Sequence, residues 1–314
     1  MTTSNSVDFS VNRNEIITAA LSLNRAIGAD ETPGDWHITK SAFFLNMLVK
    51  QWQGRADFGA NLKEFARKTT YLFLQQGQSV YSVGPSGDNW TSSYSSTTTS
   101  ATKSASATAL SLTSAIGANA DYIGIKLDSG AIGWTTISSG GGTTSLTLPA
   151  NSLGAAASGS RVFTYTTKGR RPLQMLTGVL RDVNTKDTPI AVNKTRQDYE
   201  AIPDKTADST PSWLAYEATL TNGTIYLNCE PADVTKVIRC VFLGTPEDFD
   251  ASTDTPDYPQ EWYKPLVGQL AIDTAPIFGV PVTAEMKLFR DEGLMIAQNT
   301  TPETSDAFFE PGRE

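Results

Sequence analysis

One histidine in 314 residues, two cysteines and no long apolar run exclude several kinds of chemistry at the outset. His37 alone cannot be half of a zinc pair, and Cys229 with Cys240 cannot complete a structural zinc set. The neighbours Pro33, Gly34 and Trp36 predict a turn around His37. No Gly-x-Ser-x-Gly elbow accompanies it, so it is read as a turn histidine rather than a general base. The cysteines, eleven positions apart, are expected on the two arms of one hairpin as small buried residues, without a disulfide. No Gly-x-Gly-x-x-Gly or P-loop is present, and Gly140-Gly141-Gly142 reads as a loop tip. No cofactor and no enzymatic activity are expected. No apolar run approaches the roughly 20 residues that span a bilayer, and no secretory pattern opens the chain. The expectation is a protein made in a cytoplasm, with no membrane partner.

Basic residues are also in deficit. Lys+Arg 25 against Asp+Glu 33 gives a formal net charge of -8, which argues against general nucleic-acid binding. Lys168, Arg170 and Arg171 form the strongest basic cluster, too small to grip DNA alone. Acid concentrates in Glu247, Asp248, Asp250, Asp254 and Asp257, among Pro246, Pro256 and Pro259, and predicts a solvated linker.

What is present divides into helical ends and a strand-rich middle. Asn12 with Glu15 three residues on resembles a capping box, and Ile16, Ile17, Ala20, Leu21 and Ile27 form one apolar stripe. Thr39 is a second plausible cap, after which Leu45, Leu48, Val49 and Trp52 recur at helical spacing. Trp262, Leu266, Val267, Leu270 and Ala271 predict a helix near the far end, which Pro265 must delay or kink. Thr283 caps a last helix with Met286, Phe289 and Ile296 inward. Ile16, Leu21, Leu45, Leu48, Trp52, Trp262, Leu266 and Leu270 are thus candidates for one helical core. The fold class expected is α+β: a discontinuous helical bundle formed by both chain ends, carrying a large, mainly antiparallel β insertion.

Within the middle, 69–74 and 78–83 predict a hairpin, and 90–114, rich in Ser and Thr, predicts a loop. Short alternating segments at 122–127, 133–137, 145–148 and 161–166 suit a β-sandwich or barrel. Asn222-Gly223 predicts a type I′ turn between strands 217–221 and 224–228, and 236–243 adds another strand. The domain boundaries expected are 1–78 and 255–298 for the helical core, 79–254 for the β region, and 299–314 for an extended arm.

The ends resemble a known family. Glu15-Ile-Ile-Thr-Ala-Ala-Leu, Leu45-Asn-Met-Leu-Val-Lys-Gln-Trp and Gly77-Gln-Ser-Val-Tyr are similar to the opening of head-to-tail adaptor proteins of short-tailed bacteriophages. Tyr258-Pro-Gln-Glu-Trp-Tyr, Leu270-Ala-Ile-Asp, Phe278-Gly-Val-Pro and the closing Asp-Ala-Phe-Phe-Glu-Pro resemble that family's last helices and tail. Between them, Gly133-Trp-Thr-Thr-Ile, Arg171-Pro-Leu, Pro189-Ile and Arg196-Gln-Asp-Tyr are similar to segments of longer phage members, whereas Pro265 departs from the family's small residues.

The resemblance implies a structural virion protein at the head-tail junction. It would assemble in the host cytoplasm as a homo-oligomeric ring of twelve copies. Its partners would be the portal protein, the tail nozzle protein and, through the β region, a tail fibre or tailspike, with DNA passing through the lumen without sequence-specific binding. The arm carrying Pro302, Phe308, Phe309, Glu310 and Pro311 would dock on the portal. Two readings from other classes compete. One is a peptidoglycan hydrolase using Glu15, Glu31 or Glu64; the other is a carbohydrate-binding or adhesive β module that exposes Trp90, Trp134 and Trp213.

Overall fold

The structure, a computed structural model, describes residues 8–28, 30–54, 66–150 and 153–300. It is mixed α+β and divides into two compact units: the described parts of Met1–Ala66 with Thr245–Glu314, and Arg67–Gly244. The helices are α1 (Arg13–Leu23), α2 (Asp35–Gly54), α3 (Arg196–Glu200), α4 (Tyr263–Thr274) and α5 (Ala284–Thr300).

In the first unit, α1 starts at a capping box. Asn12 Oδ1 accepts from Glu15 N at 3.0 Å and Glu15 Oε2 accepts from Asn12 N at 2.8 Å, which satisfies two otherwise orphaned donors. Helix α2 begins at Asp35, so Thr39 is not its cap and His37 is not in a turn. Ile38 N donates to Gly34 O at 3.1 Å, and the Asp35 carboxylate suits the positive end of the helix. A short 3-10 turn over Gln260–Trp262 precedes α4. Pro265 therefore falls in the first helical turn, where a missing N–H costs nothing.

One hydrophobic cluster takes residues from α1, α2, α4 and α5. Ile16, Leu21, Leu45, Leu48, Trp52, Trp262, Leu266 and Leu270 are all buried in it. Two polar contacts fix the packing. Buried Asn24, after α1, donates through Nδ2 to Ala271 O at 3.2 Å and Thr274 Oγ1 at 3.1 Å. On α5, Gly293 lies so close to α4 that a Cβ there would stand 2.8 Å from Pro265 Cδ and N. In α5 the inward positions are Met286, Gly293 and Ala297, while Ile296, expected inward, is exposed. Its phase is set by the glycine contact with Pro265.

The acidic segment 245–258 is a strap, not a solvated linker. Phe249 is buried in the helical cluster, and its backbone exchanges two hydrogen bonds with the Asn46 side chain, Phe249 N to Asn46 Oδ1 at 2.8 Å and Asn46 Nδ2 to Phe249 O at 3.3 Å. Tyr258 donates its hydroxyl to Val49 O at 3.0 Å, Lys50 pairs with Asp248 at 3.0 Å, and Arg13 N donates to Asp254 O at 2.8 Å. Glu247, Asp248 and Asp250 are exposed and Asp254 caps the strap's own backbone through Asp250 N and Ala251 N, while Phe249 and Tyr258 hold to the helices.

On α4, Asp273 Oδ1 accepts from Gln269 Nε2 at 2.7 Å, and Gln269 Oε1 accepts from Arg290 at 3.2 Å. Burial nonetheless raises the Asp273 pKa, with the Gln269 hydrogen bond and the Arg290 charge opposing. A raised folded-state pKa contributes stability that is complete below the unfolded value near ~3.9 and is lost as pH rises through the folded one. Asp273→Asn keeps the acceptor without the charge. Thermal melts should show the variant more stable than wild type at neutral pH and equal to it below about pH 4; a lower melting temperature at both would contradict this.

The second unit contains β1 (Arg67–Phe73), β2 (Val80–Val83), β3 (Trp90–Thr91), β4 (Ser95–Thr98), β5 (Ala109–Ser111), β6 (Tyr122–Lys126), β7 (Ile132–Thr136) and β8 (Ser145–Thr147). It continues with β9 (Arg161–Tyr165), β10 (Pro172–Arg181), β11 (Asp187–Lys194), β12 (Asp208–Ser209), β13 (Trp213–Ala218), β14 (Gly223–Leu227), β15 (Glu230–Pro231) and β16 (Val237–Gly244). An eight-stranded sheet runs β2-β14-β13-β11-β10-β16-β1-β3, and β11–β13 is its parallel pair. A four-stranded sheet runs β4-β9-β6-β7, and the pair β5–β8 covers it through Leu110, Leu146, Ile123, Ile125 and Val162.

Several expectations change here. β1 and β2 do not pair as a hairpin. β1 lies between β16 and β3, and β2 pairs with β14. Residues 90–114 are not a loop, since they supply β3, β4 and β5, whose Ser and Thr hydroxyls bond locally, as Thr98 with Thr113 at 3.0 Å. β13 and β14 do pair, but through the loop 219–222. Neither Asn222 nor Gly223 has positive φ, so no type I′ turn forms. Gly223 is required instead because a Cβ would run into the Tyr216 ring, while Asn222 Nδ2 donates to Ser82 Oγ and Ser86 Oγ, both at 3.1 Å.

The cysteines are not on two arms of one hairpin. Cys240 is in β16, beside β1 and β10, and Cys229 follows β14; both are buried and free. Burial pushes the Cys240 thiol up to about 12. The boundaries between units fall at 66/67 and 244/245 rather than 78 and 254, because β1 pairs with β16 over its whole length and the strap belongs to the helices.

Candidate interaction surfaces

Helices α2 and α5 of the first unit each carry apolar residues on two sides. On α2, the buried row Ser41, Leu45, Leu48 and Trp52 faces the cluster. At 100° per residue, Trp36, Phe43 and Met47 fall roughly opposite, and they are 55%, 61% and 52% exposed. On α5, Met286, Gly293 and Ala297 face inward, while Leu288, Met295 and Ile296 are 60%, 58% and 54% exposed. Single exposed apolar side chains are ordinary, but two aligned rows are not. Neither row was recognised from the sequence. The available signal was an α2 with more apolar residues than one face can hold.

Trp36 is held by edge contact with Phe278 at 5.2 Å, and the His37 ring completes the triangle at 5.3 Å from Trp36 and 5.1 Å from Phe278. His37 is a packing element here. Among the described residues no group of three or more His, Cys, Asp and Glu side chains could hold a metal ion. Glu15 completes the cap of α1, and Glu31 Oε2 accepts from Gly28 N at 3.0 Å in the connection between α1 and α2. Glu64 and the arm residues Pro302, Phe308, Phe309, Glu310 and Pro311 lie outside the described residues.

In the second unit, the tryptophans do not form a platform. Trp90 is buried with its Nε1 donating to Arg170 O at 3.1 Å. Trp134 packs on Phe73 at 4.9 Å and crosses Gly124, and Trp213 lies against the buried pair Tyr199 and Tyr226. The basic cluster is similarly occupied: Lys168 donates to Gly87 O and Arg171 to Thr219 O. Lys103 is buried, and its ammonium donates to the carbonyls of Ser104, Leu153 and Gly154 at 3.2 to 3.4 Å. Burial lowers its pKa, and the three carbonyls mark it as a structural tie across a loop.

An open cleft of about 600 Å³ is lined by Thr98, Lys126, Asp128, Ser158, Arg161 and Thr235. Asp128 Oδ1 accepts from Ala157 N at 2.9 Å and Arg161 Nη2 donates to Ser96 Oγ at 2.8 Å, so its charges are partly engaged. No aromatic face lines it. Among the described residues, no helix is long and apolar enough to cross a membrane. Comparison of the sequence with protein families and with characterised proteins gives no match.

Proposed function

We propose that the chain is a non-enzymatic virion connector of the head-to-tail adaptor kind. In this reading both chain ends form one discontinuous helical bundle that assembles as a ring between portal and tail nozzle, DNA passes through the lumen, and the β unit docks tail components. The observation that carries it is the single hydrophobic cluster joining Ile16, Leu45 and Trp52 to Trp262 and Leu270, more than two hundred residues away, around which the strap is pinned. A core closed by both chain ends leaves the intervening residues to form a unit of their own, as a docking module requires. The family resemblance supplies the rest.

The expected arm 299–314, whose first two residues are the last of α5, is the portal-seeking element. An extended segment can offset its ordering cost only by burying anchors such as Phe308 and Phe309 in a neighbour. Deleting Asn299–Glu314 leaves Ala297, the last described core residue of α5, in place. The truncated protein should keep its circular dichroism spectrum and bind purified portal roughly 1,000-fold more weakly, at about 2 kcal/mol for each of two lost aromatic anchors. Undiminished binding would remove the arm from the proposal.

A carbohydrate-binding β unit is the second reading, favoured by the polar cleft rather than by the tryptophans. Glycan-array binding abolished by Arg161→Ala would support it.

A further inference from the structure

We propose that the outer row of α2 in one copy packs against the outer row of α5 in the next, a head-to-tail contact between unlike faces. It rests on the ring reading above for closure, and names the surfaces that would make it. Three features select a second copy as the occupant. First, the rows belong to different helices of one unit, and α4 is the helix that packs on both. Each copy thus offers two separate apolar faces, and a contact between unlike faces uses both.

Second, the faces match in length. Trp36 to Met47 spans about 16 Å of helix and Leu288 to Ile296 about 12 Å, at 1.5 Å per residue. Third, the charges within the rows are opposite. Lys40 lies between Trp36 and Phe43 on the exposed side of α2, whereas Glu285 and Glu292 flank Leu288 on α5. Glu292 already holds Lys264 at 3.1 Å, an exposed pair of the kind worth little by itself and easily exchanged. A like-faced, two-fold contact would bring α5 carboxylates together and leave one row of each copy uncovered.

The full-length chain suits a cross-linking test, because Cys229 and Cys240 are buried and exposed introduced thiols react first. Under mild oxidation, the double variant Phe43→Cys/Met295→Cys should give a ladder of dimers, trimers and higher species on a non-reducing gel. Either single variant should stay monomeric. Adding Lys40→Glu should cut the ladder several-fold, and adding Glu292→Lys as well should restore it.

Dimers from a single variant would show a two-fold contact. A double variant that stays monomeric would show the rows covered by something else, including the chain's own C-terminal segment. Either result overturns the proposal. Copies that link as expected yet ignore the portal leave this pairing standing and remove the connector reading, while a ring on the portal joined by other faces does the reverse.

Discussion

Leu270→Ala should lower the melting temperature of the helical unit by more than about 10 °C while the β unit stays folded. Leu270 is fully buried, in the cluster fed by α1, α2, α4 and α5, and truncation of such a leucine costs about 3–5 kcal/mol as lost transfer energy plus a cavity. A unit made of Met1–Ala66 and Thr245–Glu314 falls between the small- and large-domain cases and shifts by roughly 3–6 °C per kcal/mol. Helical circular dichroism should therefore melt early, and limited proteolysis should leave a resistant fragment that starts near Arg67 and ends near Gly244. A single transition, shifted as a whole, would show that the two units unfold together.

Phe73→Ala should do the converse. Phe73, at the end of β1, is 2% exposed, and its ring lies within 6 Å of Tyr94, Trp134, Phe163 and Tyr165. β1 belongs to the eight-stranded sheet, whereas Trp134, Phe163 and Tyr165 belong to the four-stranded one, so this side chain is where the two sheets meet. Removing it costs about 3–5 kcal/mol for the phenylalanine, and aromatic pairs add roughly 0.5–1.5 kcal/mol beyond area. The near-ultraviolet signal of Trp134 and its tyrosine neighbours should collapse at a temperature at which helical circular dichroism is unchanged. Retention of that signal would mean the sheets meet through other contacts.

These residues also show how far the sequence could be read. Ile16, Leu45 and Leu270 were assigned to a core because helical periodicity is local and survives without knowledge of the partner. The β segments 122–127 and 161–166 were similarly visible from alternation and flanking turns. Pairing was not visible. β1 was matched to its neighbour β2 because adjacent strands usually pair, yet its partner β16 lies more than 160 residues on, and nothing in Thr69–Phe73 encodes that choice. Asn222-Gly223 was assigned a turn by its dipeptide, but the Tyr216 ring and the Ser82 and Ser86 hydroxyls decided its geometry. The strap was missed for a related reason. Its charge pattern describes the side that faces water, whereas Phe249 and the Asn46 amide determine where it lies.

The apolar rows on α2 and α5 illustrate a different limit. Periodicity identifies that a helix has an inner face, but an amphipathic helix with apolar residues on both sides gives two phases at once. The spacing of Leu45, Leu48 and Trp52 marks the inner phase, and their burial leaves Phe43 and Met47 outside, on a second phase that the inner repeat hides.

The full-length pairing of β1 with β16 bears on the order in which the chain folds. Arg67 sits opposite Leu243 and Phe73 opposite Val237, so the strand that leaves the helices and the strand that returns to them are bound rung by rung. Before that ladder forms, α2 and α4 must find each other across about 200 residues of unstructured chain, a closure whose entropic cost grows with the logarithm of its length. Once it forms, the same search runs between two chain ends already held side by side. The β unit acts as a clasp that shortens the closure left for the helices to make.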